Sequence, residues 1–414
     1  MNILFLTMVK IEIECRDIYN DLMRLFRDNG HNIYIVNPIE RREGETTNLD
    51  VVEGGATSLL GVPKKGDVYT LNVRTLNVQK TNIVEKGVGQ LSIEYLYKCA
   101  IKKYFAGIQF DLILYSTPPI TFPNVIRFVK KQNPKALSYL LLKDIFPQNA
   151  VDLGMLSKTG FQGVLYKQFR KKERDLYQLS DVIGCMSPAN VRFVLEHNHE
   201  ISPEKVEVNP NSLQLLNNGI SEEDKQRVLN KYSLPTDKPI FIYGGNLGKP
   251  QGIPFLIKCL EVNKNRKDCH FVVVGTGTYY DEIAQWYKCN RNSCVTVMKG
   301  LPKEDYDRLV QSCHVGLIFL DYRFTIPNFP SRLLSYLEYK MPVVCATDVN
   351  CDMGEIAVNN GFGFWAPSNN VEAFTKCVND MLISDIKQMG ECGYKFLKNN
   401  YLVEHSYNQI MKHF

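Results

Sequence analysis

The chain has 414 residues, 44% hydrophobic and 22% charged, with a formal net charge of +5. That length exceeds one ordinary core and calls for two domains, and the charge is too mild to argue by itself for nucleic acid. No apolar run reaches the roughly 18 residues of a membrane span, and the twelve cysteines are scattered without a CxxC pair, which disfavours zinc or a disulfide framework.

The N-terminus, MNILFLTMV, lacks a basic n-region and a small-residue cleavage site, so it reads as a first strand. Together with the scattered cysteines this points to a reduced, cytoplasmic protein. A helical pattern follows, with Ile18, Leu22, Leu25 and Phe26 on one face and Asn29-Gly30 as its stop. Ile33–Val36 is the next apolar run, which completes a β–α–β unit and hence a parallel sheet. Residues 40–90 are broken by Gly54, Gly55, Gly61, Pro63 and Gly66 and read as loops and short strands inserted in the first domain. Leu91–Phe105 reads as a helix carrying Lys98, Lys102 and Lys103. Asp111–Tyr115 and Ala136–Leu142 are buried strands. Their following loops, Ser116-Thr117-Pro118-Pro119 and Lys143–Gln148, lie at the carboxyl edge where open α/β sheets bind ligands. Phe161–Leu179 is a long helix with Lys167, Arg170, Lys171 and Arg174 on one side.

Val206–Leu213, with a proline between two asparagines, marks the domain boundary. The β/α alternation then restarts. The strand Pro239–Tyr243 ends in a glycine-rich loop, Gly244–Gly252, which lets backbone approach a ligand and carries Lys249. His270–Val274 ends in Gly275-Thr276-Gly277. After the strand Val315–Leu320, Pro327 and Pro330 hold a loop out of helix until Ser331, typed as an N-cap. Arg332 opens the helix, Pro342 stops it, and Val343–Ala346 is a buried strand. Free N–H groups, a hydroxyl and a guanidinium close together suit a phosphate. Three such features on successive strand ends of one domain favour a site for a nucleotide diphosphate. Each taken singly has an ordinary reading, as a solvated lysine, a plain turn and a surface arginine.

These motifs resemble the retaining glycosyltransferases of the GT-B fold, family 4, in the branch that includes N-acetyl-L-fucosamine transferases of capsule and O-antigen assembly. The resemblance is carried by the YSTPP loop (Tyr115–Pro119), DIFPQNAVDLG (Asp144–Gly154) and MSPAN (Met186–Asn190). In the second half it is carried by GGNLGKPQG (Gly244–Gly252), VVVGTG (Val272–Gly277) and FPSRLLSYLEYKMPV (Phe329–Val343). It implies an α/β chain of two Rossmann-like domains with parallel sheets facing across a cleft. An acceptor-side domain would span residues 1–208 and a nucleotide-sugar domain 209–393, with 394–414 returning to the first.

In that reading Lys249 and Arg332 bind the donor diphosphate and stabilise the leaving group in place of a metal, with no cofactor. Gly245, Asn246, Gly275, Gly277, Leu301, Ser331, Ser335 and Glu338 form the donor set. The usual ribose-gripping glutamate falls on Ser335 and its partner on Pro327, so Glu338, one turn on, is the candidate substitute. Asp144 is the preferred polar contact to the sugar or acceptor, with Glu14, Arg16, Ser116 and Thr117 as further acceptor-side candidates. The resemblance also implies a UDP-activated, N-acetylated sugar, a polyprenyl-diphosphate-linked saccharide acceptor, and a peripheral place at the inner face of the membrane. The basic helix at 161–179 suits that place. A nucleotide-sugar epimerase and a non-catalytic nucleotide-sugar binding subunit are the rival readings.

Overall fold

The computed structural model describes residues 1–40, 44–54, 66–76, 83–216 and 219–414. Met1–Gln214 with Val403–Phe414 form one unit, and Leu215–Leu402 form the other.

The first unit opens with β1 (Asn2–Leu6), α1 (Ile18–Asp28) and β2 (Asn32–Glu40), then β3 (Asn48–Val52), β4 (Val68–Thr75) and α2 (Ile83–Tyr104). Next come β5 (Leu112–Thr117), α3 (Pro123–Gln132), β6 (Leu137–Leu142), α4 (Gln148–Asp152) and α5 (Gly160–Leu179), and then β7 (Val182–Cys185), α6 (Pro188–His197) and β8 (Val206–Val208). The sheet order is β3-β4-β2-β1-β5-β6-β7-β8, with only β3 running antiparallel among the described strands. Strands covered on both faces must be apolar throughout. Accordingly Ile3–Leu6 and Leu112–Tyr115 are fully buried. Chain order reverses direction between β1 and β5, the switch point outside which a ligand crevice forms.

Two local expectations change. Residues 40–90 hold more regular structure than loops, since β4 pairs with β2 in parallel over eight positions, Ile33↔Val68 to Glu40↔Thr75. Gly55, Gly61 and Pro63 lie outside the described residues. The helix expected from Leu91 already begins at Ile83.

The second unit contains α7 (Glu222–Lys231), β9 (Ile240–Asn246), α8 (Ile253–Asn263), β10 (His270–Thr276), α9 (Tyr280–Cys289), β11 (Val295–Lys299) and α10 (Lys303–Gln311). It continues with β12 (Val315–Phe319), α11 (Arg332–Glu338), β13 (Val343–Thr347), α12 (Met353–Asn359), β14 (Gly363–Pro367), α13 (Val371–Leu382) and α14 (Ile386–Asn400). Its parallel sheet runs β11-β10-β9-β12-β13-β14, so the switch point lies between β9 and β12. A core of Phe241, Tyr243, Phe271, Leu317, Phe319 and Phe374 fills the space between sheet and helices.

The division falls at Gln214/Leu215 instead of 208/209, and the chain returns to the first unit at Val403 instead of 394. Residues 394–400 continue α14, whose Leu397 is fully buried. The last helix, α15 (Val403–Met411), places Val403 and Ile410 in the first unit's core beside Leu22, Met23, Phe26 and Ile33. Burying each such side chain is worth about 1.5–3 kcal/mol. Ser406 Oγ also donates to Asn209 Oδ1 at 2.7 Å.

Candidate functional site

At the switch point of the second unit, two loops meet through backbone. Asp321 N–H, just past β12, donates to Pro250 O at 2.9 Å. The glycine loop that carries Lys249 is therefore seamed to the segment leading into Arg332. Gly252 permits the seam, because a Cβ there would stand 3.2 Å from Leu320 O, and its φ of +58° suits glycine.

Arg332 is the first residue of α11. Its guanidinium carbon lies 4.5 Å from the centroid of the Tyr243 ring, within the range of a cation–π contact. Its Nη1 is buried and has no hydrogen-bond partner. Burial works against the charge, but the hydroxyls of Tyr243, Tyr336 and Tyr306 outweigh it and hold the guanidinium above its ordinary pKa. Among the described residues no carboxylate forms an ion pair with it. The residue as a whole is half-buried, and the cost falls on the occluded Nη1, whose missing hydrogen bond an acceptor oxygen would supply. Gly245, exposed and with φ +123°, keeps the space in front of Nη2 open, for a Cβ there would sit 3.4 Å from that nitrogen.

The other donor candidates divide. Asn246 is exposed at the end of β9, and its Nδ2 donates to Gln251 Oε1 at 3.1 Å. Lys249 is half-buried in the same loop, and Leu301 is half-buried after β11. Ser335 sits one turn on from Arg332, half-buried. Ser331 makes no capping hydrogen bond and already has helical φ and ψ, so the expected cap is absent. In a helix of seven residues the feature that suits an anion is then the guanidinium, not a capped N-terminus.

Gly275 and Gly277 have a packing explanation. A Cβ on the first would stand 1.9 Å from Gly245 O, and one on the second 2.4 Å from Leu247 O. Both serve close backbone approach between the β9 and β10 loops. Glu338 is 7% exposed and accepts from Leu216 N–H at 3.0 Å. It clasps the segment that enters the second unit, a different role from the ribose contact expected of it.

In the first unit, Ser116 and Thr117 are interior residues. Thr117 Oγ1 accepts from Lys143 N–H and donates to Asp144 O, both at 3.1 Å, tying β5 to β6. Glu14 pairs with Arg27 at 2.5 Å, and Arg16 Nη2 donates to Gln214 O at 3.2 Å. Neither joins Asp144. Asp144 itself lines a cavity with Thr121, Phe146 and Phe169. Asn149 Nδ2 donates to its Oδ2 at 2.8 Å, and burial pushes the carboxyl up to about 6. The neighbouring Lys143 points to Asn209 O at 3.2 Å, and burial pulls its amine down to about 7.

Sequence reasoning missed the aromatic surround of Arg332. Tyr306, on α10, occupies the place a Cβ of Gly244 would need, at 2.0 Å from its Oη. The glycine pair at Gly244-Gly245 was the available signal: one position makes room for a ring and the other for a guanidinium.

Among the described residues no group of three or more His, Cys, Asp or Glu is arranged to hold a metal ion, and no helix is long and apolar enough to cross a membrane.

Residues 224–396 match the family described as "Glycosyl transferases group 1". A Pseudomonas aeruginosa protein described as "Probable glycosyltransferase WbjE" is 23% identical over 338 residues, covering 78% of each chain. Sucrose-phosphate synthase from Thermosynechococcus elongatus superposes with a TM-score of 0.70 at 12% identity, covering 100% of this chain and 98% of that one. HepE from Anabaena, solved in complex with UDP, superposes with a TM-score of 0.65 at 14% identity, covering 100% and 99%. At those identities the likeness is one of fold. The chain thus has the α/β fold of GT-B glycosyltransferases, with two units each built on a largely parallel sheet, and the match to the group 1 glycosyltransferase family lies within its second unit.

Proposed function

We propose that this chain is a retaining, metal-independent glycosyltransferase of family 4. It moves an N-acetylated sugar from a UDP donor onto a polyprenyl-diphosphate-linked saccharide in bacterial surface polysaccharide synthesis, at the inner face of the membrane. The observation that carries the reading is Arg332, a half-buried cation whose Nη1 is buried without a hydrogen-bond partner and whose Nη2 borders the open space over Gly245. A diphosphate supplies the charge and acceptor oxygens this guanidinium lacks. Lys249, on the adjoining loop, contributes a second positive charge to the leaving group.

The acceptor oxygen forms a bond to the sugar's anomeric carbon as the bond from that carbon to the phosphate oxygen breaks. The acceptor's hydroxyl proton passes to the departing phosphate, so the chain need only hold charge and geometry. The complexes of HepE with UDP support a uridine diphosphate as the donor's carrier.

Support for the membrane surface comes from α5, which exposes Phe161, Val164 and Leu165 beside Lys167 and Lys171. Incubation of the protein with a panel of UDP-sugars and a lipid-linked saccharide, read by mass spectrometry, tests the assignment. Addition of one sugar mass to the acceptor is the expected product. Interconversion of the UDP-sugar without transfer would instead make the protein an epimerase.

A further inference from the structure

Three tyrosines surround the Arg332 guanidinium, and their hydroxyls are not alike. Tyr243 Oη donates to Asn246 O at 2.7 Å, and Tyr336 Oη donates to Ile242 O at 3.1 Å. Both are committed to the backbone of β9. Tyr306 is half-buried, and its Oη makes no hydrogen bond among the described residues. Nor is that oxygen sealed off, as Arg332 Nη1 is. Of the three hydroxyls, it is the one left open to a ligand.

Glycines seat two of these rings on one face of the sheet. Gly316 in β12 makes room for Tyr336, because a Cβ there would stand 2.3 Å from its Cδ2. Gly316 pairs with Ile242, so Gly244, two positions on, presents the same face. A Cβ on Gly244 would stand 2.0 Å from Tyr306 Oη and 2.5 Å from its Cζ. The hydroxyl therefore reaches the end of β9 one residue before Gly245, whose open space borders Arg332 Nη2. The two side chains flank consecutive residues at the carboxyl edge, where open α/β sheets take ligands. Burial pushes the Tyr306 hydroxyl up to about 12 despite the Arg332 charge beside it, so it is a proton donor at neutral pH.

A ring that only filled space would need no hydroxyl, and a tyrosine hydroxyl drawn out of bulk water usually finds a partner. That partner must accept a hydrogen bond and also suit the guanidinium next to it. A sugar hydroxyl brings no charge to the guanidinium. A phosphate group brings both the charge and several acceptor oxygens.

We propose that Tyr306 Oη donates a hydrogen bond to a diphosphate oxygen of the donor nucleotide, a further contact to the leaving group beside Arg332. The identity of that ligand rests on the transferase reading above. Negative charge on the leaving group grows as its bond to the anomeric carbon breaks, so the hydrogen bond strengthens in the transition state.

The test compares the full chain with Tyr306→Phe, which removes one oxygen and keeps the ring against Gly244. Its melting temperature without ligand should be unchanged or higher, because the hydroxyl has no partner in the protein. UDP affinity, measured by calorimetry, should fall about tenfold, and affinity for UDP-N-acetylglucosamine should fall by the same factor. In the transfer assay kcat/KM for the UDP-sugar should fall about tenfold or more, with the acceptor's KM unchanged.

Equal UDP affinity in the two proteins would overturn the contact. A loss confined to the UDP-sugar would also overturn it, since the hydroxyl would then meet the sugar. A melting temperature lowered by several degrees would make the hydroxyl a structural one. Each of these results leaves the donor reading standing so long as the unmodified protein binds UDP. If the unmodified protein does not bind UDP, that reading falls and the ligand assigned to Tyr306 falls with it.

Discussion

The guanidinium of Arg332 rests 4.5 Å from the ring centroid of Tyr243, and one of its nitrogens is buried without a partner. Tyr243 ends the apolar part of β9, and its Oη donates to Asn246 O at 2.7 Å. The ring is thereby locked by the loop it supports. The strand, the glycine loop and the cation form one preorganised piece, which is what charge stabilisation in a water-poor site requires.

Gly245→Ala tests the open space in front of that cation. Its φ of +123° is strained for alanine, and the new methyl would stand 3.4 Å from Arg332 Nη2. A stability loss of about 1–2 kcal/mol is expected. UDP affinity should fall at least tenfold, measured by calorimetry. Unchanged affinity would place the diphosphate elsewhere.

Glu338→Gln separates two roles for one carboxylate. Here it accepts from Leu216 N–H, a charge-assisted bond worth about 1.5–3 kcal/mol. The substitution should lower stability towards urea by about 1 kcal/mol and leave the donor's KM within twofold. A tenfold rise in that KM at unchanged stability would restore the ribose contact.

The first unit should lose stability between about pH 4 and pH 7. Burial raises Asp144 to about 6 and Glu173 to about 7, so the folded state holds protons there that the unfolded chain has released. Stability contributed by these groups is present below their ordinary pKa values and declines as pH rises through the folded ones. Burial lowers Lys143 to about 7, so the unfolded chain binds the extra proton from there up to about 10.5, and stability recovers over that span. Asp144→Asn should flatten the acid limb and Lys143→Met the alkaline one, in urea titrations at a series of pH values.

Vesicle binding should depend on the start of α5. Phe161 is 90% exposed, and Lys167 and Lys171 lie one to three turns further on. Arg170 and Arg174 add less to the stripe, being paired with Glu173 at 2.7 Å and Glu200 at 2.5 Å. Phe161→Ser with Lys167→Glu should reduce cosedimentation with anionic vesicles more than tenfold, given about 1 kcal/mol per surface charge. Equal binding by the double variant would contradict the membrane surface proposed for this helix.

Much of the fold was legible because apolar period and turn residues agree. Runs such as Leu112–Tyr115 and Val343–Ala346 are buried on both faces and can only be central parallel strands. Boundaries were less so. The end of α11 is set by Lys340 with φ +56°, which no local signal gives, while Pro342 points two residues too late. β4 was hidden because Asn72 and Thr75 interrupt its apolar pattern. The polarity is satisfied by partners across strands, Asn37 Nδ2 to Asn72 Oδ1 at 2.8 Å and Asn72 Nδ2 to Asp50 Oδ2 at 2.7 Å. At the site, motif order pointed to Arg332 but left its company unseen, because Tyr306 comes from a helix 26 residues earlier. Ser116, Thr117 and Glu338 were plausible by position, but Ser116 is buried in β5, and the side chains of Thr117 and Glu338 accept backbone N–H groups of neighbouring segments.

The most direct measurement of the central claim is the melting temperature with and without UDP, for the unmodified protein and for Arg332→Ala. A ligand at a hundred times its Kd stabilises by about 2.7 kcal/mol, a shift of several degrees for a unit of this size. The account predicts that shift for the unmodified protein and its disappearance in Arg332→Ala, with the variant's own melting temperature unchanged or higher. Stabilisation by NAD with no response to UDP, or an equal UDP shift in both proteins, would contradict it.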